Sequence, residues 1–171
     1  MQNPEATRKW TDLRGIALVT IDGGKKEGTL DDLYFDAQTT GIRALRIKTS
    51  IFGHRALLVS SINAIGTDAI TFAKEDMLIE EKSDALLSNM PFGSELLNYK
   101  VLTEGGTVVG SINDFILDVS NPAQLHIVSY ELPGTLFGRL GGHRPMFAAT
   151  QVVRYGRDVI VIPDSVAETL K

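Results

Sequence analysis

The chain is 171 residues long, with 17 lysines and arginines against 21 aspartates and glutamates and a net charge of −4. Nucleic-acid phosphates are bound by basic surfaces that release counterions, so this balance argues against direct nucleic-acid binding. Cysteine is absent, which excludes disulfides, thiolate metal sites and cysteine nucleophiles and is compatible with a cytoplasmic protein.

The composition, 43% hydrophobic and 22% charged, is that of a globular chain. The opening M-Q-N-P-E-A-T-R-K-W lacks the apolar segment of a signal peptide, and no stretch reaches the roughly 20 apolar residues of a membrane span. A soluble protein without a transmembrane segment is expected.

In chain order, residues 1–12 read as an N-terminal tail, mobile up to Trp10. A first domain is placed at 13–80. Arg14 to Ile21 is an apolar run ending in Asp22-Gly23-Gly24, a turn signal between adjacent strands. From Thr29 to Asp36 apolar residues fall on both alternating faces, as in a strand half covered on each side. Further runs follow at 42–48, Arg55 to Val59 and Asp68 to Phe72. Five or six short strands with little helix predict an all-β fold, a small β-barrel or curled sheet.

A connector is placed at 81–94. The charged stretch around it, Lys74 to Pro91, includes Met77, Leu78, Ile79, Leu86 and Leu87, which would partly pack, with a helical turn capped by Ser83. The second domain, 95–171, repeats the order at Leu97 to Thr103, Val108 to Val119, Gln124 to Leu132, Arg144 to Ala148 and Asp158 to Ile162, before a last turn beyond Pro163.

The order recurs because the sequence does. V-T-I-D-G-G-K-K-E-G-T-L-D-D-L-Y-F-D (19–36) returns as V-L-T-E-G-G-T-V-V-G-S-I-N-D-F-I-L-D (101–118), so that Gly28, Asp32 and Asp36 reappear as Gly110, Asp114 and Asp118. With one inserted residue, Gly53 to Ile70 also aligns with Gly142 to Ile160. An internal duplication is the simplest account. Each copy alone would bury only about 60% of its unfolded surface and be marginal, so a packed, pseudo-symmetric pair is expected. The assembly is then either a monomer with pseudo-dimeric repeats or a homodimer.

Each copy resembles the PRC-barrel domain, the small β-barrel of the photosynthetic reaction centre H subunit's soluble part and of the C-terminal half of the ribosome maturation factor RimM. The resemblance is carried by Gly28 to Asp36 and Ile62-Asn63-Ala64-Ile65-Gly66-Thr67-Asp68, and again by Gly110 to Asp118 and Val152 to Asp158, with Gly156 matching Gly66. The membrane anchor of the H subunit and the N-terminal barrel of RimM have no counterpart here, so the partners of those proteins are not carried over.

Candidate chemistry is sparse. Asp32 and Asp36, like Asp114 and Asp118, share a strand face, but four residues of strand separate them by about 13 Å, too far for one ion or one proton shuttle. They are read, with Gly28, Gly66, Gly110 and Gly156, as structural turn residues, because an Asp side chain can hydrogen-bond turn backbone. The two Gly-His-Arg triplets, with His54 and Arg55 and with His143 and Arg144, offer a twinned anion or ligand site, since arginine suits carboxylate or phosphate.

His126 is the one further histidine, so no metal site is expected, and no cofactor is implied. The stretch 132–144 is glycine-rich but lacks phosphate-loop spacing. Its Leu136, Phe137 and Leu140, with Ile51 and Phe52 of the equivalent first loop, are read as partner contacts or as the contact between copies. Lys48 and Glu131 would pair if the third strands meet across a pseudo-two-fold axis. No nucleophile-elbow motif or catalytic residue emerges. The expected role is a non-catalytic adaptor or assembly module for a protein partner of unknown identity. The alternatives are a ribosome-maturation or RNA-associated factor and a small-ligand or anion sensor.

Overall fold

The computed structural model describes residues 6–51, 53–134 and 144–170. The chain enters through β1 (Thr7–Lys9) and a single helical turn, α1 (Trp10–Leu13). There follow β2 (Ala17–Thr20), β3 (Lys26–Phe35), β4 (Ile42–Thr49), β5 (His54–Leu58), β6 (Ile62–Ile65) and β7 (Ala69–Phe72). These six form one sheet in the order β5-β4-β3-β2-β7-β6, antiparallel throughout except for β2 beside β7. Leu18 and Thr20 of β2, like Ile70 and Phe72 of β7, are buried while their neighbours are half-buried, the alternation a one-sided strand dictates.

β3 is covered on both faces. Leu33 and Phe35 enter the main core, whereas Tyr34 turns outward into a second cluster with Ala44, Ala56 and Leu87. That cluster is closed by the segment between the halves, which runs as short 3-10 turns at Glu75–Met77, Glu81–Ser83 and Leu87–Asn89. Ser83 ends its turn and makes no side-chain cap; Asp84 accepts from Leu86 N–H at 3.0 Å instead.

The second half comprises β8 (Lys100–Thr103), β9 (Val108–Ser111), β10 (Asp114–Asp118), β11 (His126–Glu131), β12 (Met146–Ala148), β13 (Arg154–Tyr155) and β14 (Val159–Ile162), then α2 (Asp164–Glu168). Its strand orders are β12-β11-β10, with β1 beyond β10, and β9-β8-β14-β13. Put end to end they follow the first half, including the parallel pair, here β8 with β14. The single long strand expected from Val108 to Val119 is broken at Ile112 and Asn113, whose N–H groups donate to Tyr99 and Glu131 carbonyls at 2.9 and 2.8 Å. The whole is all-β with one continuous core, in which Leu33, Leu45 and Phe72 share a cluster with Phe115, Tyr130 and Ile160.

The leading segments cross over. Thr7, Arg8 and Lys9, expected to be mobile, instead form a strand paired with Asp118, Leu117 and Ile116 of the second half. Trp10 is fully buried and stacks on Phe115, ring centroids 5.9 Å apart. In the opposite sense, Phe92 bridges to Tyr34 of the first half and packs edge-on against it at 5.3 Å.

Beside each aromatic sits a hydroxyl that clasps a carboxylate. Thr11 donates through N–H and Oγ1 to Asp114 at 3.3 and 2.5 Å, and Ser94 donates likewise to Asp32 at 3.0 and 2.5 Å. Asp32 and Asp114 each also accept from the next residue's N–H, Leu33 at 2.8 Å and Phe115 at 2.9 Å. Both carboxylates are buried residues within β3 and β10, not turn residues, and each takes donors from its own strand and from the opposite half.

Gly28 and Gly110 are corrected in the same way, since they lie within β3 and β9. At Gly28 a Cβ would stand 2.4 Å from the Lys48 carbonyl oxygen, so close strand approach requires glycine there, whereas at Gly110 the nearest atom is 3.9 Å away. Gly66 and Gly156 do close turns, donating N–H to the Ala69 and Val159 carbonyls at 2.9 and 2.7 Å.

The third strands meet only at their beginnings. Ile42 N–H donates to Leu125 and Ile127 N–H to Thr40, at 2.9 and 3.0 Å, around an antiparallel bridge of Gly41 with His126. From an antiparallel bridge the two strands run apart, so the proposed Lys48–Glu131 pair does not form. Glu131 takes Lys9 at 3.2 Å and Arg144 at 3.6 Å instead.

Removing one hydroxyl from a hydrogen bond to a charged group costs about 1.5–3 kcal/mol. Thr11→Val and Ser94→Ala are each expected to lower unfolding stability by that amount in urea melts. Stability unchanged in both would show that the clasps do not hold the halves together.

Candidate functional site

The corner between β4 and β5 is a short turn closed on itself. Thr49 donates through N–H and Oγ1 to the Gly53 carbonyl at 2.7 and 2.8 Å, and Gly53 adopts a φ of +71°, open to glycine without strain. This geometry presents Ile51 outward, 78% exposed. Ile51 stands at the rim of a cleft of about 510 Å³ lined also by Lys25, Lys26 and Glu27 of β2–β3, by Arg55, and by Glu75, Asp76 and Leu78. Its lining thus brings cations and carboxylates together with the aliphatic side chains of Ile51 and Leu78.

Next to the cleft, His54 Nε2 lies 3.3 Å from Asp31, which Arg46 also approaches at 3.4 Å. Arg55 faces Glu80 at 3.7 Å. Arg144 belongs to the second half and faces Glu131 at 3.6 Å. Cross-strand register sets Ala56 opposite Arg46 and Met146 opposite Glu131. The inserted residue therefore lies upstream of β12, and Arg144 stands at the place of His54, not of Arg55. His143, Leu136, Phe137, Leu140 and Phe52, also read from sequence as ligand or partner contacts, lie outside the described residues.

Asp36 Oδ1 accepts from Gln38 N–H and Asp118 Oδ1 from Ser120 N–H, both at 2.9 Å. The Ser120 hydroxyl and N–H hold the Asp118 carboxyl below its usual range. Arg43 does the same for Asp84 through a 2.8 Å ion pair. Among the described residues no group of three His, Asp or Glu side chains is placed to hold a metal.

A second recess was not legible from the sequence. Phe35, Ala37 and Pro91 meet Glu95, Tyr99, Tyr155 and Arg157 around a cleft of about 360 Å³. Behind it the Tyr155 and Tyr130 hydroxyls share a hydrogen bond of 2.8 Å, and Tyr155 packs edge-on against Phe35 of the first half. Burial pushes both phenols above their ordinary value, with the neighbouring phenol adding to the rise at Tyr130. Tyrosines at 99, 130 and 155 follow no period and match no tyrosine in the first copy, so only tertiary structure brings them together.

The strand-rich fold and its short turns place the chain in the all-β class. A PRC-barrel domain is found at residues 5–84. No curated protein matches the chain. No helix among the described residues is long and apolar enough to cross a membrane.

Phenols held neutral by burial stabilise the fold below the ordinary tyrosine pKa of 10.0, and this stabilisation is lost as pH rises above it, because the unfolded chain then binds fewer protons than the native one. The melting temperature is expected to fall between about pH 9 and about pH 11, and to fall less steeply in Tyr130→Phe/Tyr155→Phe than in the parent. Equal slopes would show that this pair does not resist ionisation.

Proposed function

We propose that the chain is a non-catalytic docking module made of two PRC-barrel-like halves derived by duplication, which binds a protein partner through the β4–β5 corner. The observation that carries this reading is Ile51, 78% exposed on a turn locked by the Thr49–Gly53 hydrogen bonds. Covering a large aliphatic side chain held out in water removes apolar surface from solvent, and each buried Å² contributes roughly 25 cal/mol. The cleft beside it supplies both signs of charge for orientation.

The tandem reading is supported by the recurring strand order and by the paired clasps of Thr11 on Asp114 and Ser94 on Asp32. Lack of cysteine supports a reducing compartment such as the cytoplasm. Carboxylates stand beside His54, Arg55 and Arg144, where an anion ligand would have to approach, so these residues favour a protein partner over an anion. The net charge of −4 counts against direct RNA contact.

Affinity capture from native lysate with the intact chain and with Ile51→Ser tests the corner. The substitution is exposed and is expected to change stability by no more than about 0.5 kcal/mol, as a thermal melt would verify. One defined complex recovered by the intact chain and lost with Ile51→Ser is the expected result. Equal recovery by both would remove the corner from the contact, and recovery of ribosomal subunits would replace the adaptor by a ribosome-associated role.

A further inference from the structure

The two halves treat their edge strands differently. At the edge of the first sheet Ala56 is fully buried, and its N–H and C=O exchange hydrogen bonds with Ile79, both 2.8 Å. Around this bridge Ile79 packs with Tyr34, Ala44 and Leu87, and the following Glu80 reaches Arg55 at 3.7 Å. An extended aliphatic-acidic segment thus closes β5.

β12 is the matching edge of the second half. Met146 lies opposite Glu131, and Glu131 opposite Asp114, just as Ala56 lies opposite Arg46 and Arg46 opposite Asp32. Met146 is therefore the counterpart of Ala56. The Pro145 carbonyl accepts from Leu132 N–H at 2.8 Å and so points into the sheet. Along a strand the carbonyl of one residue and the N–H of the next point to opposite sides, so both backbone groups of Met146 face out of the sheet. Among the described residues no segment pairs with them, and the Met146 side chain is 48% exposed.

We infer that the β12 edge is a strand-addition site for an extended segment of a partner protein, with a branched aliphatic residue paired to Met146 and carboxylates following it. Charge argues for the carboxylates. Lys9 and Arg144 share the single buried carboxylate of Glu131, and their side chains remain 44% and 51% exposed. The Asp114 oxygens are already taken by Thr11 and Phe115. Two half-open cations thus border an edge unpaired among the described residues, whose counterpart pairs with Ile79 and has Glu80 beside Arg55. Backbone pairing gives such a site its affinity, and the alternating side chains give its selectivity. The site lies in a different sheet from the β4–β5 corner and stands independently of it.

The probe is a synthetic peptide with the chain's own sequence at 75–83, E-D-M-L-I-E-E-K-S, titrated into the isotope-labelled full chain and followed by amide NMR. Saturable shifts at Met146, Phe147 and Ala148 are expected. Affinity is expected to fall at least about threefold between ionic strengths of about 0.05 and about 0.5 M as the Debye length shortens. A peptide with Pro in place of Ile79 is expected to produce no shift, since it loses the pairing N–H. One with Lys in place of Glu80 and Glu81 is expected to bind about tenfold more weakly, the loss of roughly two charge-assisted contacts.

In the chain, Met146→Pro removes an outward N–H that no described residue uses, and is expected to abolish the Phe147 and Ala148 shifts while leaving the thermal melt unchanged. No saturable shift along β12 would overturn the proposal, as would equal binding of the Pro-bearing peptide. Shifts only around Ala56 would show exchange with the chain's own segment. Shifts only around Ile51 would move the peptide to the corner, and concentration-dependent shifts at Met146 without peptide would make a second copy the occupant; either would overturn it too.

Discussion

Two buried carboxylates that cannot be satisfied within their own half hold this fold together. An ionised side chain removed from water is costly unless hydrogen-bonded donors replace the solvent. Asp32 is 7% exposed and Asp114 2%, and in each case the side-chain hydroxyl donor arrives from the segment that leads into the opposite half. Separating the halves would take a hydroxyl donor away from each of these carboxylates. The continuous core follows from the same crossing, because the clasp that brings Thr11 to Asp114 also seats Trp10 on Phe115.

Within this common frame the halves differ where each clasp meets its surroundings. In the first half the guanidinium of Arg46 lies 4.8 Å over the Phe92 ring and also meets Asp31, so one cation serves an aromatic face and a carboxylate. In the second half the residue in the corresponding cross-strand place is Glu131, and the cations come from Lys9 and Arg144. Trp10, in the place of Phe92, carries a ring N–H that is buried without a hydrogen-bond partner. Reversed charge and a changed aromatic mean that the two leading segments are not interchangeable, which favours one arrangement of the halves over its swapped alternative.

Much of the fold was legible in the sequence because strand formation is written locally. The apolar run from Arg14 to Ile21, the run from Asp68 to Phe72 and the glycines after Asp22 and Glu104 point to strands and turns that the structure places within a few residues. The clasps were not legible. Thr11 is 103 positions from Asp114 and Ser94 is 62 from Asp32, and no periodicity relates residues so distant. Repeat logic could have found them: each buried Asp recurs at a fixed offset, and each copy is preceded by an aromatic followed within two residues by a hydroxyl. The Gly-His-Arg match misled for a related reason, since identical triplets drew the alignment one residue out of the register that strand pairing imposes.

The surfaces left for recognition follow from where the two halves stop packing on each other. The two halves bury apolar faces in one shared core, which runs from Leu18 through Phe115 to Ile160. What remains outside is decided by the unequal segments. The stretch from Leu78 to Met90 folds over the first sheet, sealing Ala56 and Tyr34 and leaving the β4–β5 corner as that half's projecting feature. In the second half the corresponding strand keeps Met146 at the surface. A shared strand order thus supplies the common frame, and departures from it give the two halves different outer faces.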